Sequence, residues 1–261
     1  MSHGPWALTA GILGNVISFM VFLAPISTFY RIYKKRSTEG FQAVPYVVAL
    51  FSAMLWLYYA VIKTNVMLLI IINSIGCIIE TIYLAIFLAY AHKKARVYAA
   101  KLILLLDGGV FSLIVLSTVV FSEGDTRVKI VGWICVAFAV GVFAAPLSIM
   151  KLVIATKSVE FMPFNLSFFL TLCAVAWFSY GLLIKDLYVM LPNVLGFMFG
   201  VAQMILYQAY KKQSEGKKKD KVAGMKNKTI KEEAIEKEKE ICYEEWTNKV
   251  KQNKENDMVP V

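Results

Sequence analysis

A chain of 261 residues that is 58% hydrophobic, with a mean hydropathy of +0.61, is more apolar than a water-soluble domain, where the share is about 45–50%. Its formal charge of +10 does not point to nucleic acid, because the basic residues before position 211 sit in short clusters between apolar runs, as loops beside membrane spans do. The four cysteines, Cys77, Cys135, Cys173 and Cys242, have no CxxC spacing and no nearby histidine, which argues against a zinc site or a disulfide framework.

A helix that crosses a hydrocarbon core of roughly 30 Å needs about 20 apolar residues. Seven runs meet that requirement, at approximately 6–30, 44–62, 66–89, 102–122, 130–150, 164–184 and 188–210. The first lacks a basic leader and a small-residue cleavage site, so it is expected to be a retained span. Arg31, Lys34, Lys35 and Arg36 follow the first span, and Lys93, Lys94 and Arg96 follow the third. Both loops are expected in the cytoplasm, which puts the N-terminus outside and the C-terminus inside. The turns at Lys63-Thr64-Asn65 and Lys185-Asp186 are nearly neutral. From Lys211 onward lie 11 of the 18 acidic and 14 of the 28 basic residues. That composition predicts a disordered tail with a transient charged helix at 229–246; the basic start of the tail, Lys211, Lys212 and Lys217 to Lys219, is expected to stop the last span and to attract anionic membrane lipid.

One phrase occurs twice. VFLAPISTFYRIYKKRSTEGFQAVPY begins at Val21, and VFAAPLSIMKLVIATKSVEFMPF begins at Val142. At an offset of 146 − 25 = 121, Pro25 meets Pro146, Trp56 meets Trp177 and Tyr59 meets Tyr180. Each copy holds three spans, and the unmatched span at 102–122 makes the displacement four, so both copies face the same way across the membrane. The expected fold is an all-α integral membrane protein with seven transmembrane helices, built as two parallel three-helix bundles joined by a linker helix (3+1+3). Its parts are a first repeat at 1–96, the linker at 97–127, a second repeat at 128–212 and the tail at 213–261. Parallel repeats of this kind occur in secondary transporters, with the site at the repeat interface.

Polar residues inside apolar spans mark that site. Asn73 and Asn193 fall in corresponding third spans, each three residues before a glycine. Two carboxamides offer donors and acceptors to a polyhydroxylated ligand, whereas a lone asparagine would more often bond helix to helix. Trp56 and Trp177 form a second pair, with faces suited to the C–H face of a sugar ring. Pro25, Pro45, Pro146 and Pro163 stand near one end of four spans as punctuation or as hinges around one mouth. Glu80 and Asp107 are intramembrane acids, the usual marks of proton coupling; the counterpart of Glu80 is Gly200, which weighs against that role. No catalytic trio, paired carboxylates or metal spacing appears, so neither an enzyme nor a cofactor or metal is expected.

The segments VFLAP, KRSTEGFQAVPY, NSIGCIIETIYL, WFSYGLLIKD and LPNVLG resemble the plant SWEET sugar transporters over residues 6–210. The resemblance implies facilitative, proton-independent uniport, with Asn73, Asn193, Trp56 and Trp177 in the substrate pocket and Ser52 and Cys173 beneath them. It further implies a size-setting wall of Ser18, Val21, Ala139 and Val142, a cytoplasmic tetrad of the four prolines, and an external gate of Tyr59 with Asp186. Gln203 matches a glutamine linked to movement of the seventh span. Cys173 and Ala139 stand where related carriers have serine. Val142 in place of a bulkier residue resembles the sucrose-carrying branch, which implies efflux at the plasma membrane, with glucose as the alternative substrate. Family members also form oligomers, though no interface is legible in the sequence. A seven-span receptor fits the topology equally well, but has no reason to be internally duplicated.

Overall fold

The computed structural model describes residues 4–159, 162, 164–213 and 215–216, with Lys231, Glu236, Lys237 and Lys239 beyond them. Pro163 and most of the tail, including most of the charged helix expected at 229–246, lie outside the described residues. Among the described residues there is no strand, and seven helices are long and apolar enough to cross a membrane: Pro5–Lys35, Val44–Ile62, Met67–Tyr90, Lys93–Phe121, Gly124–Thr156, Phe164–Leu183 and Leu187–Gln213.

Several helices overrun the apolar runs that announce them. The first continues as an amphipathic segment, Ile26–Lys35, which buries Phe29 and Ile32 and exposes Tyr30 and Tyr33. The fourth begins nine residues early (102 − 93 = 9), at Lys93. Hydropathy measures only what hydrocarbon covers, whereas helical hydrogen bonding carries on until a cap stops it. Both overruns in the repeats stop alike, on a left-handed residue: Arg36 at φ 53° and Lys157 at φ 50°, at the repeat offset of 157 − 36 = 121.

The first and fifth spans are each broken near a proline. Pro25 has no N–H to donate, so the Ala24 N–H takes the Val21 carbonyl instead at 3.1 Å, and the helix resumes at Ile26. Tyr83 from the third span donates to the Phe22 carbonyl at this break, 2.9 Å away. In the fifth span the break falls at Phe143, whose N–H bonds the Val140 carbonyl at 3.1 Å. That position corresponds to Phe22 (143 − 121 = 22), so the two breaks are not in register.

The second and third spans pack on each other, the first lies against the third, and the bundles meet where the first span packs on the sixth and the second on the fifth. A core of Phe51, Leu55, Tyr59, Val131, Cys135, Trp177 and Tyr180 therefore joins residues of both repeats. The fourth span packs on the second and third, and the Tyr58 and Thr118 hydroxyls meet at 2.8 Å. Arg127 closes its far end by donating to the Thr118 and Ser122 carbonyls at 3.1 and 2.8 Å, as a cation at a helix C-terminus should. Within the fourth span, Leu104–Val110 is a π-helical segment containing Asp107.

Candidate functional site

Between the bundles lies a cavity of about 650 Å³. The second and sixth spans contribute Ser52, Trp56, Cys173 and Trp177, the third and seventh contribute Asn73 and Asn193, and the first and fifth contribute Ser18, Ala139 and Val142. Pro45, Pro146 and Gln203 also line it. Val21 and Pro25 do not; both are half-buried on the first span. Pro45 sits in the first turn of its helix, where its missing N–H would have no helical partner in any case.

The two asparagines are held identically. Asn73 Nδ2 donates to the Leu69 carbonyl at 2.8 Å, and Asn193 Nδ2 donates to the Val189 carbonyl at 2.7 Å. Each carboxamide is thereby fixed on its own helix by one N–H. Its oxygen and second N–H have no other partner among the described residues and are available to a ligand. The tryptophans are likewise posed alike: Trp56 stands edge-on to Tyr59 at 5.7 Å and 87°, and Trp177 to Tyr180 at 5.5 Å and 88°. The rest of the wall is mainly apolar, so the polar groups that remain are directional.

The end of the cavity near the short turns is sealed. Asp186 is 1% exposed and accepts from the Tyr59 hydroxyl at 2.8 and 3.0 Å. Lys63 donates to Asp186 Oδ2 at 2.6 Å and to the Tyr59 oxygen at 3.0 Å. Asp186 Oδ1 also accepts the Tyr188 and Val189 N–H groups at 3.0 and 3.3 Å, so it caps the seventh span as well as closing the seal. In the sequence Lys63 is legible only as a loop charge; its part in the seal is seen in the structure. At the repeat offset its counterpart is Ile184 (63 + 121 = 184), so the duplication gives no sign of it. Asn65 and Lys185 both take left-handed backbone, at φ 67° and 55°, and are 120 rather than 121 apart. One residue is missing from the second turn, and the third spans pair at 193 − 73 = 120.

Glu80 and Asp107 lie away from the cavity. They are 4% and 7% exposed, and Glu80 Oε2 and both Asp107 oxygens have no hydrogen-bond partner among the described residues. Among the described residues no group of three metal-ligating side chains occurs. Outside the membrane, Glu39 binds Arg31 and Lys35 at 2.5 and 2.6 Å. The hydrogen bond from Lys35, seconded by Arg31, holds its carboxyl below the usual range against a smaller opposing effect of burial.

The family described as sugar efflux transporter for intercellular exchange matches residues 9–95 and again 129–215, once on each half. A bidirectional sugar transporter of Oryza sativa subsp. indica, SWEET15, is 64% identical over 211 residues, which cover 81% of this chain and 66% of that protein. The chain thus spans just under two thirds of the length of that relative. The bidirectional sugar transporter N3 of Medicago truncatula is 54% identical over 98% of this chain and 92% of its own length. A solved structure of a eukaryotic SWEET transporter superposes with a TM-score of 0.74 at 35% identity, covering 79% of this chain and 97% of that one. With the doubled three-span repeat, the cavity between the halves and these matches together, the chain belongs to the SWEET family of sugar efflux transporters.

Proposed function

We propose that this protein is a facilitative, proton-independent and bidirectional sugar uniporter that exports sucrose across the plasma membrane by alternating access, with its N-terminus outside and its C-terminus inside. The observation that carries the reading is the pair of half-satisfied carboxamides, Asn73 and Asn193, at equivalent points of two bundles that face one cavity. Two such groups suit a ligand that both donates and accepts hydrogen bonds, and Trp56 and Trp177 suit its apolar ring faces. A cavity of about 650 Å³ falls within the roughly 300–1,000 Å³ of small-molecule sites. Sealing at Tyr59, Lys63 and Asp186, with Pro45, Pro146 and Gln203 along the cavity, fits an inward-facing member of the cycle. Rocking of the bundles would break that seal and close the proline end. Placement of Glu80 and Asp107 off the cavity supports transport without a proton.

Radiolabelled sucrose and glucose counterflow in liposomes, with and without a pH gradient, tests this. Sucrose exchange that ignores the gradient is expected, reduced at least tenfold by Asn73→Ala or Asn193→Ala in protein that stays monodisperse. Full transport by both variants would remove the asparagines from the site, gradient dependence would remove uniport, and glucose without sucrose would reassign the substrate.

A further inference from the structure

The two halves of the cavity repeat the same three positions with different chemistry. Trp177 is accompanied by Ser18 and Cys173; the positions that match them for Trp56, at the offset of 121, are Ala139 and Ser52, which line the same cavity. The first group closes on itself. The Trp177 Nε1–H donates to Ser18 Oγ at 2.9 Å, and Ser18 Oγ lies 3.1 Å from Cys173 Sγ. Trp177 is also seated in a notch made by Gly14, where a Cβ would come within 2.9 Å of its ring, and it is 7% exposed. The counterpart of Gly14 is Cys135 (14 + 121 = 135), so Trp56 has no such notch.

The second group stays open. Ala139 has no side-chain oxygen to accept from Trp56, and among the described residues neither the Trp56 indole N–H nor the Ser52 hydroxyl has a hydrogen-bond partner. Both residues are half-buried and line the cavity. Because the edge-on poses of the two tryptophans on Tyr59 and Tyr180 are nearly the same, the difference between the halves lies in hydrogen bonding and seating.

From this we infer that the transport site is polarised: a sugar of two unlike rings is held in one orientation, its hydroxyls bonded by Trp56 and Ser52 while Trp177 presents only an apolar face. Ala139 is then a specificity determinant through what it omits, since a serine there would engage the Trp56 N–H as Ser18 engages that of Trp177. Ser18 acts as a positioning residue for Trp177 rather than as a sugar ligand. This rests on the sugar-transport reading above.

The test measures sucrose KM and maximal counterflow rate in liposomes. Installing the missing acceptor with Ala139→Ser is expected to raise KM about 5- to 10-fold, the size of one lost neutral hydrogen bond, with the maximal rate within about twofold. Ala139→Cys, similar in bulk but a weak acceptor, is expected to raise it less. The exchange Ser18→Ala with Ala139→Ser moves the free indole N–H to the other half and is expected to bring KM back to within about threefold of the unmodified protein. Should the serine variants not fold, Ser52→Ala alone is expected to raise KM about 3- to 5-fold. An unchanged KM in Ala139→Ser, a rise that the double exchange does not reverse, or an unchanged KM in Ser52→Ala overturns the polarised site while leaving sucrose transport intact. No sucrose counterflow in the unmodified protein would instead remove the sugar reading, and the polarised site with it.

Discussion

Asp186→Asn tests the seal directly. The carboxylate is buried and accepts from Tyr59, Lys63 and the first N–H groups of the seventh span. An amide keeps the shape and can still accept from Tyr188, but it loses the ionic attraction for Lys63, whose side chain is 27% exposed. Breaking a fully buried pair costs about 3–5 kcal/mol. With one partner in contact with water, a charge-assisted hydrogen bond of about 2 kcal/mol is the fitting scale. That corresponds to roughly a 30-fold shift of the closed-to-open ratio. Cys135 is 1% exposed, in the core beside Tyr59, and reports the shift. A membrane-impermeant maleimide applied from the seal side, with the Cys135 peptide followed by mass spectrometry, is expected to label the variant at least tenfold faster than the unmodified protein. Equal labelling, with counterflow undiminished, would refute the assignment of Asp186 and Lys63 as the bolt of that gate.

Val142 lines the cavity and Val21, its counterpart, does not. Val142→Leu is therefore expected to raise the sucrose KM about tenfold, the scale of one methylene in a tight pocket, and the glucose KM less. Val21→Leu should do neither, and equal effects at the two positions would count against the size argument. Glu39→Gln removes two ion pairs on an exposed loop. The folded carboxyl titrates below its ordinary value of 4.5, so its stabilisation is complete above that value and fades as pH falls through the lower one. Melting curves should show a small deficit for the variant at neutral pH that vanishes in acid; a deficit that persists in acid would assign the loss to packing.

Hydropathy made the seven spans legible, and the doubled phrase the repeats, because Pro, Trp and Tyr held at one offset do not recur by chance between unrelated apolar runs. Pairing the copies also pointed to Asn73, Asn193, Trp56 and Trp177. Lys63 escaped because its partner lies 123 residues away (186 − 63 = 123) across a turn that is one residue shorter in the second copy. The unlike fates of Val21 and Val142 escaped because the helix breaks at Ala24 and Pro25 in one copy and at Phe143 in the other, two to three residues out of step. The π-helical stretch at Leu104–Val110 has no compositional signal beyond an acid followed by two glycines.

The short turn before the seventh span has a mechanical consequence. With one residue fewer in that turn, the aspartate that holds the seal to Tyr59 and Lys63 is also the capping residue of a helix. Asn193 stands seven residues further along that helix (193 − 186 = 7), about 10 Å at 1.5 Å per residue. A helix with an intact cap behaves as a stiff rod over two turns, so Asp186 cannot be drawn from Tyr59 and Lys63 without either displacing the carboxamide or uncapping the rod. The first half has no such lever, since Val66, at the start of the third span, offers no side-chain cap. Seal and carboxamide are geared together on one side only.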